Sequence, residues 1–458
     1  MFLSEPAILS LLDQAKTASN QKAEFIIQKS QHLKGLSLEE TAILLQNKSQ
    51  TITKKIFAAA RNIKEKIYGR RLVIFAPLYT SNYCSNNCTY CGFRAGNKSL
   101  RRKRLTMEEV KEEVSLLENE GHKRILLVTG EDIKGSSIEF LEKIIPAIYS
   151  VKSGRGEIRR LNVNVAPLSV KDFKRLNKTG IGTYQLFQET YHPGTYQSMH
   201  TAGPKTDYAN RLYAMHRAME AGIKDIGLGV LFGLHDYKFE VLALLSHAQE
   251  LEKKFGCGPH TISVPRIEPA HNTPLSYNPP APVSDNAFKQ IVAILRLAVP
   301  YTGLILSTRE SAKLRNEVFG LGISQISAGS RTNPGGYKAS RSKNHTAEQF
   351  SMHDNRSLLE VIKDISRMGY SPSFCTACYR LGRTGKDFMD LAKPGLIQKF
   401  CLPNSLITFK EYLLDYGDAA ARQLGAKVIA RELAGMKNKT AIQQALSRLE
   451  NGERDICF

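Results

Sequence analysis

Three cysteines with a short, regular spacing are the residues of this sequence best suited to chemistry. Cys84, Cys88 and Cys91 have the spacing C-x3-C-x2-C within the segment YCSNNCTYCGF, residues 83–93. A structural zinc site usually takes four ligands. Three thiolates on a 4Fe–4S cluster leave one iron open to bind a substrate or cofactor. The spacing therefore favours an iron–sulfur cluster, with zinc and a distant fourth ligand as the alternative.

A second group of cysteines lies far along the chain. Cys375, Cys378 and Cys401 have the spacing C-x2-C-x22-C, and no histidine lies between 378 and 401. Eight cysteines in 458 residues are too few for a disulfide scaffold, so clustered cysteines indicate metal ligands. A second cluster with one open iron is the favoured interpretation, and structural zinc is the alternative. Cys457 is a possible fourth ligand, but its position near the chain end favours a spare thiol.

The elements that must position these cysteines alternate between strand and helix. Several of the strand segments, such as RILLVT, are apolar at consecutive positions, as in parallel strands buried on both faces. Eight strand–helix units over roughly 260 residues match the size of a (βα)8 TIM-type barrel, whereas an open doubly wound sheet is the alternative. The eight predicted strands are 72–79, 124–129, 159–165, 183–188, 225–231, 260–266, 303–307 and 324–327.

Start and stop signals divide the α/β chain into three predicted parts. Capping boxes at Ser37–Glu40 and Thr106–Glu109 each begin a helix. Gly69 ends a second N-terminal helix that runs from about Thr51, and Gly121 ends the helix that begins at Thr106. The predicted parts are an N-terminal helical extension at 1–70, the barrel at 71–335 and a mainly helical C-terminal cluster-binding domain at 340–458.

Composition and charge narrow the class of protein. Hydrophobic content of 42% and charged content of 23% are typical of a soluble globular protein, and no apolar run is long enough to cross a membrane. The N-terminus lacks the features of a secretory signal, so a cytoplasmic location is expected. The net charge of +21 is spread along the chain, with one dense run at 101–104, which makes nucleic acid an unlikely partner. A basic surface also attracts acidic proteins and anionic small molecules.

The first cysteine segment resembles the signature of the radical S-adenosylmethionine (SAM) superfamily, with Tyr90 as the aromatic residue before the third cysteine. The resemblance implies that the open iron chelates SAM, which is then cleaved to a 5′-deoxyadenosyl radical. It also implies further cofactor contacts at the ends of the predicted strands. Gly130 and Glu131 resemble the motif near the SAM amino group, and an arginine suits the SAM carboxylate. The remaining cofactor candidates are Asn164, Glu189 and Arg211.

Further segments resemble the tyrosine lyase branch of this superfamily: QLFQETY at 185–191, GLGVLFGL at 227–234 and SVPR at 263–266. One member of the branch serves thiamine thiazole synthesis, and the other is the HydG type of iron–iron hydrogenase maturase. The segments FCTACYR at 374–380 and GRTG at 382–385, followed by Cys401, match the maturase and are lacking in the thiazole enzyme. The resemblance covers nearly the whole chain.

The resemblance to maturases implies a reaction sequence. Cα–Cβ scission of L-tyrosine gives p-cresol and dehydroglycine, and dehydroglycine yields carbon monoxide and cyanide. An auxiliary 4Fe–4S cluster with a labile fifth iron collects these ligands together with cysteine. The implied partners are a reductant such as flavodoxin or ferredoxin, other maturation proteins and, indirectly, the hydrogenase. The competing functions are a thiazole-type lyase, a radical SAM enzyme acting on tRNA and a non-enzymatic iron–sulfur carrier.

Side-chain alternation along the sixth strand suggests a ligand for the labile iron. His260 and Arg266 share one face, about 20 Å apart at 3.3 Å per residue. If Arg266 points into the active site, His260 points inward at the other end, where the resembled family holds its second cluster. His260 is therefore the candidate ligand, because neutral imidazole suits iron. A packed histidine is the alternative, and His271 is the second candidate, although it follows a loop at the wrong end.

Tyrosine needs a partner for its carboxylate. Arg309, after strand seven, is the candidate, and Ser327 and Ser330, after strand eight, could hydrogen-bond beside it. Glu189 and Arg266 complete the set of predicted catalytic residues.

Overall fold

The computed structural model describes residues 2–132, 136–339 and 347–458. Its centre is a closed parallel barrel of eight strands, which confirms the predicted fold. Each strand pairs with its neighbours in chain order, and pairing of β1 with both β2 and β8 closes the barrel. The strands are β1 (Arg71–Ser81), β2 (Arg124–Thr129), β3 (Arg160–Asn164), β4 (Tyr184–Gln185), β5 (Ile226–Gly229), β6 (Thr261–Ser263), β7 (Gly303–Leu306) and β8 (Gln325–Ser327).

Several strands are shorter than the sequence predicts. The segments predicted at 183–188 and 260–266 contain only the two residues of β4 and the three residues of β6. Parallel pairing resumes beyond them at the isolated bridges Glu189–Val230 and Phe232–Arg266. The chain at the carboxyl ends of these strands is therefore irregular, and it carries the polar side chains described below.

Helices of the (βα)8 pattern surround the barrel, and side-chain caps begin several of them. Thr106 and Glu109 form a complete capping box, and Asp207 caps its helix through a 2.9 Å bond from the Asn210 amide. The helices from β1 to β8 are α5 (Met107–Asn119), α6 (Ile138–Ser150), α7 (Val170–Lys178), α8 (Pro193–Met199), α9 (Tyr208–Leu212), α10 (Ala214–Glu220), α11 (Tyr237–Phe255), α12 (Pro274–Tyr277), α13 (Asp285–Ala298) and α14 (Ala312–Phe319).

Four helices precede the barrel: α1 (Glu5–Gln14), α2 (Asn20–Ser30), α3 (Leu38–Gln46) and α4 (Gln50–Tyr68). The capping box at Ser37 and Glu40 is present, and Gly69 ends α4 with φ of +62°, a conformation that favours glycine. Helix α4 packs on α13, and α3 packs on α11. The extension therefore covers one side of the barrel.

The C-terminal region adds a strand to the barrel. Strand β9 (Ser371–Ser373) pairs in parallel with the start of β1, on the side away from β8, since Val73 pairs with both Gln325 and Ser373. Cys375 thus follows directly at the end of the barrel where the strands begin. The accompanying helices are α15 (Leu358–Arg367), α16 (Ala377–Arg380), α17 (Lys386–Ala392), α18 (Gln398–Asp415), α19 (Ala419–Ala434) and α20 (Thr440–Glu450). Within the described ranges, no helix has the length and apolar character needed to cross a membrane.

Candidate functional site

A cavity opens at the carboxyl ends of the barrel strands, and we call it the upper cavity. It has an empty volume of about 1380 Å³, including its mouth. Active sites of such barrels lie at this end. Cys84, Cys88 and Cys91 all line it. Every predicted cofactor-binding residue lines it as well: Tyr90, Gly130, Glu131, Asn164, Glu189 and Arg211.

The loop that carries the three cysteines is fixed from two sides. On one side Arg102 donates to the carbonyls of Phe93, at 2.8 Å, and Arg94, at 2.6 Å. On the other side the Thr89 amide donates to the carbonyl of Met199, at the end of α8. Hydrogen bonds to its backbone therefore hold the loop, while its thiols face the upper cavity.

The three thiols fit an iron–sulfur cluster. All three are free cysteines, and Gln349 points its amide nitrogen at Sγ of Cys91, at 3.8 Å. Burial raises the pKa of Cys84 and Cys91 to about 11 and that of Cys88 to about 12, so thiolates at this position require a bound cation. In the part of the chain described, no three Cys, His, Asp or Glu side chains converge on one point for a single metal ion. Ligands at separate corners of a cluster do not need such convergence.

A buried network of charges lies beside the cysteines. Nη1 of Arg211 is 2.8 Å from Oε1 of Glu131, and its Nη2 is 3.5 Å from Oε1 of Glu189. Lys205 reaches the same Glu189 oxygen at 2.7 Å. Although burial alone would raise the pKa of Glu131, Arg211 and Lys205 lower it to about 2. The wall therefore holds both negative and positive charges in fixed positions. Such a wall suits a ligand that carries an ammonium group and a carboxylate, as an amino acid does.

Two backbone features place these carboxylates. A Cβ atom on Gly130 would lie 2.1 Å from the carbonyl oxygen of Tyr83, so only glycine lets the loop after β2 approach the cysteine loop. Glu189 has φ of +71°, which is uncommon for a residue other than glycine. The buried carboxyl group of Glu240 holds this turn, since it bonds Oγ1 of Thr190 and, at 2.9 Å, accepts from the amide of Tyr191.

Tyr90 is held by a histidine that the sequence did not single out. The hydroxyl of Tyr90 lies 2.8 Å from Nε2 of His200, and Nδ1 of His200 lies 2.7 Å from the carbonyl of Tyr196. Burial lowers the pKa of His200 to about 2, so the ring is neutral. Its Nδ1–H therefore donates to the carbonyl, and its Nε2 accepts from Tyr90.

Lys205 and Asn86 are further wall residues that the sequence argument missed. Nδ2 of Asn86 donates to Oε2 of Glu131 at 2.7 Å, and Oδ1 accepts from the Lys205 amide at 2.8 Å. Asn86 lies inside the cysteine segment and could have been considered there. Lys205 lies in a short 3-10 helix (Pro204–Thr206) that carries no motif, and no sequence signal identifies it.

The predicted substrate residues after strands seven and eight also line the upper cavity. Arg309 lies over the ring of Phe350, with its guanidinium carbon 3.3 Å from the ring centre. Ser327 accepts from the Thr308 amide at 3.1 Å. The hydroxyl of Ser330 is buried and has no hydrogen-bond partner among the described residues. A substrate oxygen or nitrogen would satisfy it.

Arg266 does not line the upper cavity with Arg309, Ser327 and Ser330, whereas alternation along strand six predicts that it points into the active site. Arg266 binds Glu310 through Nε, at 3.0 Å from Oε1, and Asp285 through Nη1, at 2.9 Å, in a separate outer pocket. The residues of this segment that line the upper cavity are Ser263, Pro265, Ile267 and Glu268. His260 precedes β6, so strand alternation does not link its direction to that of Arg266.

A second, smaller cavity of about 520 Å³ lies at the other end of the barrel, and we call it the lower cavity. Cys375, Cys378 and Cys401 line it, and so does His260. A hydrogen bond with Cys401 and the nearby Arg383 lower the pKa of Cys378 to about 6. Three buried arginines complete the cationic wall: Arg71, Arg124 and Arg160.

His260 has the protonation state that a metal ligand needs. Burial, assisted by the arginines, lowers its pKa to about 4, so the ring is neutral near pH 7. Its Nδ1 lies 3.6 Å from Oδ1 of Asp225. The second candidate, His271, is exposed beside the cysteine loop of the upper cavity, where its carbonyl accepts from Asn97.

The chain end is more ordered than the sequence suggests. Asn404 accepts from the Phe458 amide at 2.8 Å and donates to the carbonyl of the same residue at 3.0 Å. Sγ of Cys457 lies 3.5 Å from Nη2 of Arg380 and is absent from the lower cavity wall. Cys457 is thus a thiol held at the surface and not a frayed end.

Comparisons with known proteins agree with this geometry. Residues 78–247 match the radical SAM superfamily, and residues 263–371 match the biotin and thiamin synthesis associated domain. A crystal structure of HydG, a maturase of the FeFe-hydrogenase, is similar with a TM-score of 0.96, at 52% identity over 100% of both chains. HydG from Carboxydothermus hydrogenoformans gives 0.86, at 44% identity over 97% of each chain. The 2-iminoacetate synthase of Escherichia coli is 30% identical over 82% of this chain and 96% of that protein.

Proposed function

We propose that this chain, which belongs to the radical SAM superfamily and within it to the HydG family, cleaves the Cα–Cβ bond of L-tyrosine and turns the dehydroglycine fragment into carbon monoxide and cyanide. The observation that carries the proposal is the pair of cavities in one barrel. Three cysteines line each cavity, and the lower one adds a neutral histidine. The products would serve assembly of the iron–iron hydrogenase H-cluster in the cytoplasm. Residues 71–335 would form the SAM-binding unit, and residues 340–458 would form the auxiliary-cluster unit.

In the upper cavity, Cys84, Cys88 and Cys91 would hold a 4Fe–4S cluster. When bound, the cluster and SAM supply a 5′-deoxyadenosyl radical. The carboxylate of Glu131 is kept ionised by Arg211 and is suited to the SAM ammonium group. Arg211 is suited to the SAM carboxylate, since its planar guanidinium can donate twice. Both charges are buried, so water competes little for them.

Arg309 and Ser330 would bind the amino acid end of tyrosine. Arg309 is stacked on Phe350, which fixes the plane of its guanidinium for a carboxylate. The unpartnered hydroxyl of Ser330 gains a hydrogen bond when the substrate enters. Together they would orient the amino group of tyrosine toward the centre of the cavity, while Glu189 and its cations form the facing wall.

In the lower cavity, Cys375, Cys378 and Cys401 would hold the auxiliary cluster, and neutral His260 would bind the labile fifth iron. A cationic wall suits cyanide and the carboxylate of cysteine, both of which are anions.

The second candidate function is a lyase that stops at dehydroglycine. It is favoured by the similarity to a protein named 2-iminoacetate synthase, because 2-iminoacetate is dehydroglycine.

One experiment separates the two candidates. Protein reconstituted anaerobically with iron and sulfide is incubated with SAM, dithionite and tyrosine, and p-cresol, cyanide and carbon monoxide are assayed. We expect all three products from the parent, and p-cresol with little carbon monoxide from the double variant Cys375→Ser/Cys378→Ser. If the parent makes p-cresol but neither cyanide nor carbon monoxide, the lyase alone is the function.

A further inference from the structure

The chain that follows the cysteine loop is strongly basic. Residues 94–104, with the sequence RAGNKSLRRKR, contain six cations and no acid. We call this segment the basic rim. It consists of Arg94, Lys98, Arg101, Arg102, Lys103 and Arg104. The rim is the densest positive segment of a chain with a net charge of +21, and neither cavity uses that charge.

Half of the six cations of the basic rim are exposed to solvent. Lys98, Arg101 and Arg104 are exposed. Lys103 is paired with Glu109 at 2.8 Å, and Arg104 is paired with Asp132. Lys98 and Arg101 make no ion pair with any residue that the structure describes. Their charges are therefore available to a partner, whereas Arg102 is turned inward to hold the cysteine loop.

An exposed aromatic residue lies at the same surface. Tyr83 is 42% exposed, and the guanidinium of Arg104 lies 5.1 Å from its ring. Tyr83 directly precedes Cys84, one of the three cysteines of the upper cavity. This surface therefore combines positive charge that no acidic residue among those described neutralises with an exposed aromatic residue, Tyr83. Tyr83 is joined by its peptide bond to Cys84, a proposed cluster ligand.

We propose that the basic rim and Tyr83 form the docking surface for an acidic electron-carrier protein. The inference rests on the proposed function, because only a redox cluster held by Cys84 needs electrons from outside. One electron would pass from the reduced carrier to the cluster. The carrier would lose one electron and the cluster would gain it, and no atom or proton would be transferred. Attraction between the acidic carrier and the basic rim raises the rate at which the two proteins meet. Salt screens this attraction.

A polynucleotide is the other polyanion that such charge can attract. The position of the rim favours the protein carrier, because Arg104 lies against the ring of Tyr83, the residue next to Cys84, and the carbonyl of Arg101 accepts from the neighbouring Asn82. A nucleic acid site would also be expected to combine cations with several aromatic residues for stacking. Within residues 83–104, all of which the structure describes, Tyr83 is the one aromatic residue with an exposed side chain.

The test compares two double charge reversals with the same change in net charge. Lys98→Glu/Arg101→Glu alters the rim, and Lys427→Glu/Lys437→Glu alters exposed lysines on or after α19. The probe is a purified flavodoxin with an acidic surface around its flavin. Two quantities are measured on reconstituted protein: the dissociation constant for oxidised flavodoxin at low and high salt, and the initial rate at which reduced flavodoxin supports SAM cleavage. SAM cleavage driven by dithionite is measured in parallel.

We expect the rim variant to bind flavodoxin about tenfold more weakly at low salt, with a matching loss of flavodoxin-driven rate. Dithionite-driven cleavage should equal that of the parent, and the control variant should match the parent in every assay. Equal flavodoxin affinity in the rim variant and the parent would overturn the docking surface. So would a rim variant that loses affinity for a transfer RNA but not for flavodoxin. Failure of the parent to cleave SAM with dithionite would instead refute the proposed function itself.

Discussion

Arg211 and Glu131 form a buried ion pair in the wall of the upper cavity, with Nη1 of Arg211 2.8 Å from Oε1 of Glu131. Glu131 lies in the loop after β2 and Arg211 lies in α9, which follows β4, 80 positions further along the chain. The same carboxylate accepts from Asn86 of the cysteine loop. One carboxylate thus connects the cluster loop to the predicted cofactor arginine.

Replacing Glu131 should weaken SAM binding more than it alters the fold. In Glu131→Gln the cavity loses the negative charge proposed to hold the SAM ammonium. Loss of a buried charged partner costs about 2–5 kcal/mol, so the dissociation constant of SAM should rise about 30-fold or more. Equilibrium binding to reconstituted protein measures it. The control is Glu39→Gln on the surface of α3, and equal affinity in both variants would show that Glu131 does not contact SAM.

Arg309 and Arg266 should respond differently to the same conservative change. Arg309→Lys removes the planar guanidinium beside the substrate space, so KM for tyrosine should rise about tenfold or more while the affinity for SAM is retained. Arg266→Lys removes donors to Glu310 and Asp285 outside the cavity, so it should lower thermal stability and leave KM unchanged. Steady-state p-cresol formation and thermal unfolding measure the two effects. A rise in KM for Arg266→Lys alone would reverse the assignment.

His260 should matter for the second half of the reaction only. In His260→Ala the proposed ligand of the labile iron is lost while the upper cavity is unchanged. Carbon monoxide yield should fall about tenfold, whereas p-cresol formation should stay within about twofold of the parent. Iron content per chain and product assays measure the outcome. His271→Ala, beside the other cysteine loop, is the matched control, and equal loss of both products in His260→Ala would contradict the assignment.

Glu240 should make the protein less stable as the pH rises. Burial raises its pKa from 4.5 to about 8, so between these values it is protonated in the folded chain and ionised in the unfolded chain. Its contribution to stability is complete below pH 4.5 and is lost as the pH rises through 8. At about 1.4 kcal/mol per pKa unit, the contribution changes by on the order of 2–5 kcal/mol.

Glu240→Gln should remove this dependence, because the amide can still bond Thr190 and the Tyr191 amide without titrating. Denaturant unfolding of the two proteins at several pH values between 5 and 9 measures the difference. The difference should grow in favour of the variant as the pH rises. A constant difference across this range would show that Glu240 does not change its protonation in the folded state.

Much of the fold could be predicted because its signals are local. The capping box of Thr106 and Glu109 and the consecutive apolar residues of β2 are contained in a few neighbouring residues, and hydrogen bonding and burial act on them directly. The lengths of β4 and β6 were overestimated, since the pattern of apolar residues continues where the backbone leaves the regular strand. The pattern of apolar residues indicates which residues are buried, but it does not show where the hydrogen bonds between strands end.

The sequence by itself determined the chemistry that the cysteines can perform, because the spacing of Cys84, Cys88 and Cys91 fixes three thiols on one short loop. Only the tertiary structure decided which distant residues meet them. The outward direction of Arg266 and the reach of Lys205 to Glu189 depend on contacts between separate segments of the chain. Arg124 donates to the carbonyl of Cys375 across 251 positions of the chain. Such contacts follow from the packing of the whole barrel, which no local pattern encodes.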